Sequence, residues 1–232
     1  MTSPLAPHRA DRYLLVGLTV VATAAGTQPP RRPAATALAS PRGTPKGAAL
    51  PPNWRMRLDR ANLPADYRIA PEGGVLHVTT VRAAGIFFDP RLTAAGTYRA
   101  EATITQLKAP AHPEAYGLFV GGADLEGVRQ AYVYFVVRGD GRYLVKRRAG
   151  SDVQTLVDWT RSAAVHEADA SGRATNALRV DVARDSVRLF ANGRRVTALA
   201  HDAALRTDGI VGLRINHALD VRVDGPKVTA LR

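Results

Sequence analysis

The chain has no cysteine. That excludes a disulfide framework, a thiolate metal site and a lipid anchor on cysteine. It has only five glutamates (Glu72, Glu101, Glu114, Glu126 and Glu167), few candidates for a glutamate acid–base pair. Lysine is scarce as well, four against 28 arginines, a bias that with abundant alanine resembles base composition in a GC-rich genome. No apolar run reaches the roughly 17 residues of a membrane-spanning helix. The six histidines (His8, His77, His112, His166, His201 and His217) show neither His-x-x-x-His nor Glu-adjacent zinc spacing. No amphipathic helix is legible between Trp54 and Arg232.

What is present is basic. The net charge is +12, from 32 Lys plus Arg against 20 Asp plus Glu. Six of the basic residues and only Asp11 among the acids precede Trp54, so the remainder carries 26 against 19, a net +7. These charges are scattered through the chain without the patch and motif of a nucleic-acid binder, and no nucleic-acid partner is expected.

Residues 1–25 read as a secretory signal. Arg9 and Arg12 make a basic start, Tyr13 to Ala25 is a 13-residue apolar stretch, and Ala22-Thr23-Ala24 supplies a small-x-small cleavage site. The implied location is secreted or periplasmic, with no membrane span after cleavage. Residues 26–52 hold seven of the 15 prolines, a composition that favours a disordered or extended tether. Residues 53–232 then form the expected folded domain, long enough to bury roughly two-thirds of its unfolded surface.

The strongest local pattern is Ala131 to Arg148, two β-rich runs around Gly139-Asp140-Gly141. A three-residue loop sets Val137 opposite Tyr143 and Phe135 opposite Val145. It puts Val133, Phe135, Val137, Tyr143 and Val145 on one face, and Tyr132, Tyr134, Leu144, Lys146 and Arg148 on the other. Gly141 is then expected in the left-handed position of a bulged turn. Arg138-Gly-Asp140 spells an adhesion tripeptide, but a hairpin tip wants Gly and Asp for its turn.

Asn176 to Ala198 is the second strong pattern. Two-residue turns at Arg184-Asp185 and Asn192-Gly193 predict one continuous register over three strands. Leu178, Val180, Val182, Val187, Leu189 and Val196 share one face, with Arg179, Asp181, Arg188, Phe190 and Arg195 on the other. Further strands are expected at Trp54–Asp59, Gly74–Val81, Gly85–Phe88, Gly96–Leu107, Ala115–Gly122, Val153–Thr160, Ile210–Asn216 and Leu219–Val228. About a dozen short strands with turn punctuation predict an all-β fold: a two-sheet antiparallel β-sandwich of jelly-roll type.

Ala115-Tyr-Gly-Leu-Phe-Val-Gly-Gly122, Tyr132-Val-Tyr-Phe135 with Asp140-Gly-Arg-Tyr143, Asn176-Ala-Leu-Arg-Val180 with Leu189-Phe-Ala-Asn-Gly193, and Gly209-Ile-Val-Gly-Leu213 resemble the concanavalin A-like lectin/glucanase superfamily. The nearest flavour is its laminin G-like and 3-keto-disaccharide hydrolase-like jelly rolls, over roughly Trp54 to Arg232. The resemblance implies sugar binding on a concave sheet or its rim loops. The Glu-x-Asp-x-x-Glu strand motif of the superfamily's retaining glucanases is missing. Glu167-Ala-Asp169 comes closest, in a loop and with Gly172 in the place of the second Glu. Gly85-Ile-Phe-Phe88 resembles the hydrolase-like signature but precedes the Gly96–Leu107 strand instead of following it. No residue inherits a catalytic role.

Glycoside hydrolysis needs two carboxyl groups about 5 to 9.5 Å apart, and Glu101 and Glu114 are the least implausible candidates. For calcium, Asp124 with Glu126, and Asp208, offer oxygens, but loop aspartates ordinarily make Asx turns. No cofactor or metal is expected. Carbohydrate faces combine aromatic platforms with planar polar side chains. Two sets have that character: Tyr132, Tyr134, Lys146 and Arg148 on the hairpin, and Arg179, Asp181, Arg188 and Phe190 on the meander. The expectation is an exported, non-catalytic domain binding a glycan or other cell-envelope ligand. The alternatives are a glycosidase-type enzyme of the same fold and a structural or protein-interaction domain.

Overall fold

The structure is a computed structural model that describes residues 50–60 and 67–231. The expected leader and the linker up to residue 49 lie outside the described residues. Among the described residues there are fourteen strands and no helix. The first five are β1 (Arg55–Leu58), β2 (Tyr67–Glu72), β3 (Val75–Thr80), β4 (Gly85–Ala94) and β5 (Tyr98–Gln106). The middle four are β6 (Ala115–Ala123), β7 (Ala131–Arg138), β8 (Arg142–Ala149) and β9 (Asp152–Arg161). The last five are β10 (Ala174–Val182), β11 (Ser186–Ala191), β12 (Arg194–Ala200), β13 (Gly209–Ile215) and β14 (Asp220–Ala230).

They form two antiparallel sheets of seven strands. The first runs β1-β4-β13-β6-β7-β8-β9 and the second β12-β11-β10-β5-β14-β3-β2. The inner faces meet in one core that includes Phe135, Val137 and Val145 from the first sheet and Leu178, Val180 and Leu189 from the second. This is a β-sandwich whose strands alternate inward apolar and outward residues.

The β7–β8 hairpin has the expected register, with Phe135 opposite Val145 and Val137 opposite Tyr143. Gly141 sits at φ +77°, where a side chain is disfavoured. At the tip, the Arg138 guanidinium donates twice to the Asp140 carboxylate, at 3.1 and 2.6 Å. That pair turns the Arg-Gly-Asp sequence inward on itself.

The β10–β11–β12 meander departs from expectation at one point. Asp181 does oppose Arg188, and Asn192 and Gly193 take φ +50° and +79° in their turn. But the β11–β12 register shifts between Leu189 and Phe190, so Leu189 pairs with Thr197 and the register is not continuous. Val196 therefore packs only partly against the core. Strand β2 lies outside the strands that the alternation predicts, because Pro71 interrupts its pattern. It is an edge strand, where a missing N–H is tolerated. Strand β4 runs past Phe88 to Ala94, and its pairing with β13 shifts between Ile210 and Gly212.

Candidate functional site on the outer face of the first sheet

The registers bring residues far apart in sequence into rows across the outer face of the first sheet. One row reads Arg57, Ile86, Arg214, Gly117, Val136, Leu144. The next reads Arg55, Phe88, Gly212, Phe119, Tyr134, Lys146, and beside it Tyr132 opposes Arg148. An outer face of a sandwich is ordinarily polar; this one is not. Ile86, Phe88, Phe119, Leu125 and Tyr132 form an apolar cluster outside the main core, and Ala115, Val136 and Leu144 form another. Tyr134 packs against both and stays half-buried.

The first cluster has a cover. The Asp124–Gln130 segment brings Leu125 over Tyr132, which is left 2% exposed. Arg57 Nη1 holds that segment by donating to the carbonyls of Leu125 (3.0 Å) and Gly127 (2.5 Å), and Arg55 pairs with Glu126 beside it. Tyr132 is thus a support for its neighbours and not a contact surface. Its ring lies 5.7 Å from that of Tyr134, centroid to centroid, and fixes it from one side. Burial raises the hydroxyl pKa of both tyrosines, so both are neutral phenols at physiological pH.

Charges cross the same face. Arg214 opposes Gly117 on β6, and its guanidinium lies 5.6 Å from the Tyr134 ring. Its Nη1 and Nη2 donate to the two Asp59 oxygens at 2.8 and 2.5 Å, while Nε is buried without a partner among the described residues. Burial by itself would raise the Asp59 pKa. The hydrogen bonds and positive charge of Arg214 more than offset it and hold the carboxyl below the ordinary carboxylate range. With the Gln130 amide oxygen facing the two guanidinium groups, it accepts from Arg148 Nη1 at 3.1 Å and Arg57 Nη2 at 3.2 Å. Lys146 stands next to Tyr134 across the β7–β8 pairing.

The second sheet's outer face is of another kind. Arg179, Asp181, Arg188 and Phe190 do share it, with Arg179 stacked 3.8 Å from the Phe190 centroid. Asp181 accepts two bonds from Arg99, at 2.8 and 3.1 Å, and lies 3.4 Å from Arg179 Nε. Glu101, Arg179, Asp224 and Lys227 line a shallow open pocket of about 190 Å³ on this face. Its charges are largely paired, as in the Lys227–Asp224 contact at 3.1 Å.

The other sequence candidates are dispersed. Glu101 points outward from the second sheet, whereas Glu114 adjoins β6 of the first and contacts His217 (3.0 Å) and Asn216 (3.3 Å). The two do not flank a common cleft. Glu167 pairs with Arg161, and Asp169 caps its own loop at Ser171 and Arg173. Asp124 accepts from the Arg129 backbone N–H and Asp208 from that of Gly96. No group of three or more His, Asp or Glu residues suited to a metal occurs among the described residues.

Arg57, Asp59, Gln130 and Arg214 also belong to the face, outside the candidate sets that the sequence patterns define. A signal existed for Arg214, the polar residue alternating with Val211, Leu213 and Ile215. Which strands lie beside which was not readable from that alternation.

No protein-family model matches the chain, and no curated protein matches it. Among solved structures it is similar to the carbohydrate-binding module CBM66 from Bacillus subtilis. The TM-score is 0.57 at 11% identity, over 77% of this chain and 96% of that one. It is also similar to a Bacillus subtilis protein of unknown function with a galectin-like fold (TM-score 0.58, 13% identity, 77% and 89% covered). A third is a Bacteroides ovatus family 16 glycoside hydrolase, solved with an oligosaccharide product (TM-score 0.56, 10% identity, 76% and 94% covered). None of these three is described as a 3-keto-disaccharide hydrolase. What these structures share with the chain is its architecture: a concanavalin A-like jelly-roll β-sandwich.

Proposed function

We propose that the chain is an exported, non-catalytic domain that binds a carbohydrate on the outer face of the first sheet. Tyr134 is the stacking platform, flanked by Lys146 and Arg148. The observation that carries this reading is the half-buried Tyr134 ring, packed between two apolar clusters and edged by basic side chains. A sugar offers an apolar C–H face and a rim of hydroxyls, which a fixed aromatic ring and oriented N–H donors match. Because Tyr132 and the neighbouring apolar side chains already hold the ring, little side-chain entropy is lost on binding. The solved structures named as carbohydrate-binding and glycoside-hydrolase proteins support a sugar ligand through shared architecture. The leader read at residues 1–25 supports export.

A second reading, a glycosidase-type enzyme, draws on the pocket that Glu101 and Asp224 share on the opposite sheet. A glycan-array screen of the full chain, with and without calcium, separates the readings when hits are assayed for released sugar. Selective binding without turnover is the expected result. Released product would favour the enzyme, and silence across the array would favour a protein-interaction domain of the cell envelope.

A further inference from the structure

We infer that the ligand of the Tyr134 face is an anionic glycan, one with carboxylate or sulfate groups along its sugars. This rests on the reading of that face as the carbohydrate-binding one and adds the ligand's charge. Arg57, Lys146 and Arg148 have no carboxylate within 4.0 Å among the described residues. The partners of Arg57 and Arg148 are uncharged. They are the Leu125 and Gly127 carbonyls for Arg57, the Gly150 carbonyl at 3.3 Å for Arg148, and the Gln130 amide for both. Such contacts aim a guanidinium without neutralising it.

The anions nearby are already engaged. Asp59 is taken by both Nη atoms of Arg214, Glu126 by Arg55, and Asp124 by the Arg129 backbone. Arg57 and Arg148 are held on one amide oxygen although they repel. Burial first, and the Arg148 charge second, lower the Arg57 pKa, and the attraction of Asp59 and Asp124 only partly offsets them.

On the opposite sheet several cations are matched by carboxylates. There Arg99, Arg179, Lys108, Arg222 and Lys227 each lie within 4.0 Å of a carboxylate. Arg188, Arg194 and Arg195 of that sheet also lack a carboxylate within 4.0 Å among the described residues, Arg188 donating to the Ser186 hydroxyl. What sets the first sheet apart is that its unmatched cations Lys146 and Arg148 stand beside a tyrosine ring packed on apolar clusters. Carboxylate or sulfate oxygens would accept charge-assisted hydrogen bonds from Arg148 and Lys146 while the sugar ring lies on Tyr134. A neutral sugar would leave the three cations uncompensated.

Calorimetric titration of the full chain with short oligogalacturonate, its methyl ester, dextran sulfate and unmodified dextran tests this. The acid or the sulfate should bind at least about tenfold tighter than its neutral counterpart, the scale of a charge-assisted hydrogen bond. Which of the two binds better names the anion. Tyr134→Ala and the double variant Lys146→Gln/Arg148→Gln should each lose that affinity. Arg194→Gln/Arg195→Gln, which removes the same charge from exposed positions on β12, should leave it intact.

If the neutral forms bind as tightly as the charged ones and Tyr134→Ala abolishes both, the binding face stands and the inference fails. Equal loss in the two charge-removal variants, with Tyr134→Ala silent, would reveal nonspecific basicity and overturn it. An equal response to single-stranded DNA would do the same. No binding of any charged probe would also overturn it, and silence on neutral glycans too would take the underlying reading with it.

Discussion

Arg214 is the residue whose environment asks most of its neighbours. Its side chain is 8% exposed, and its charge is met by Asp59, itself 31% exposed, across an arginine–carboxylate fork. Asp59→Ala would leave a buried guanidinium unpaired. We expect a loss of about 3 kcal/mol, the low end for a broken buried pair because Asp59 is partly solvated. Chemical denaturation of the variant measures it, and replacing both partners with apolar residues should cost far less.

The pH sign follows from the lowered Asp59 pKa. Its contribution is complete above the unfolded carboxyl's value of about 3.9 and disappears as pH falls through the folded one. Acid unfolding of wild type should therefore be steeper below about pH 4 than that of the doubly apolar variant. Tyr134→Ala should weaken glycan binding by roughly tenfold, the loss of one aromatic platform. Its half-buried ring makes a stability cost of about 1–2 kcal/mol the expectation.

At the scale of elements, a glycine sets the strand spacing beneath the site and a histidine ties strands of the opposite sheet. Gly117 lies in β6 where a Cβ would come 2.0 Å from the Phe135 carbonyl oxygen. Gly117→Ala should force β6 and β7 apart and leave little folded protein, a result that circular dichroism and melting would report. On the second sheet, His77 of β3 bridges Asp220 of β14 (2.6 Å) and Glu72 of β2 (3.0 Å), with Lys108 and Arg222 on the same carboxylates. The hydrogen bond to Asp220 is the largest cause of its raised pKa; burial opposes it and Glu72 adds to it. A raised pKa stabilises the protonated form. The contribution is full below the unfolded value of about 6.5 and is lost as pH rises through the folded one. The melting temperature of wild type should fall across that window, and His77→Gln should flatten the fall.

Alternation made most of these elements legible. The β7–β8 register followed from Gly139-Asp140-Gly141 and the valine spacing, because a one-residue slip would have turned Phe135 outward. The β11–β12 bulge was not legible, since nothing in Asn192-Gly193 says that an extra residue enters the ladder beyond the turn. Nor was β2, whose Pro71 reads as a breaker until its edge position is known.

Across the whole molecule, the class of fold could be read and the site only in part. Tyr134, Lys146 and Arg148 were grouped correctly on one hairpin face, and Arg179, Asp181, Arg188 and Phe190 on the other sheet. Arg57, Asp59 and Arg214 join the first group through the order β1-β4-β13-β6-β7, which depends on long-range pairing that no local pattern encodes. The Leu125 cover over Tyr132 is likewise a tertiary event. The character of the first sheet's outer face emerges only at this scale: apolar clusters hold a tyrosine that is edged by cations without a carboxylate within 4.0 Å among the described residues.

The central claim, that ligand binds on the first sheet's outer face, is tested most directly by amide chemical-shift mapping with the best array hit. The account predicts shifts at Tyr134, Lys146, Arg148 and Arg214, on β7, β8 and β13. Shifts gathered instead at Glu101, Arg179 and Lys227, around the pocket of the second sheet, would contradict it.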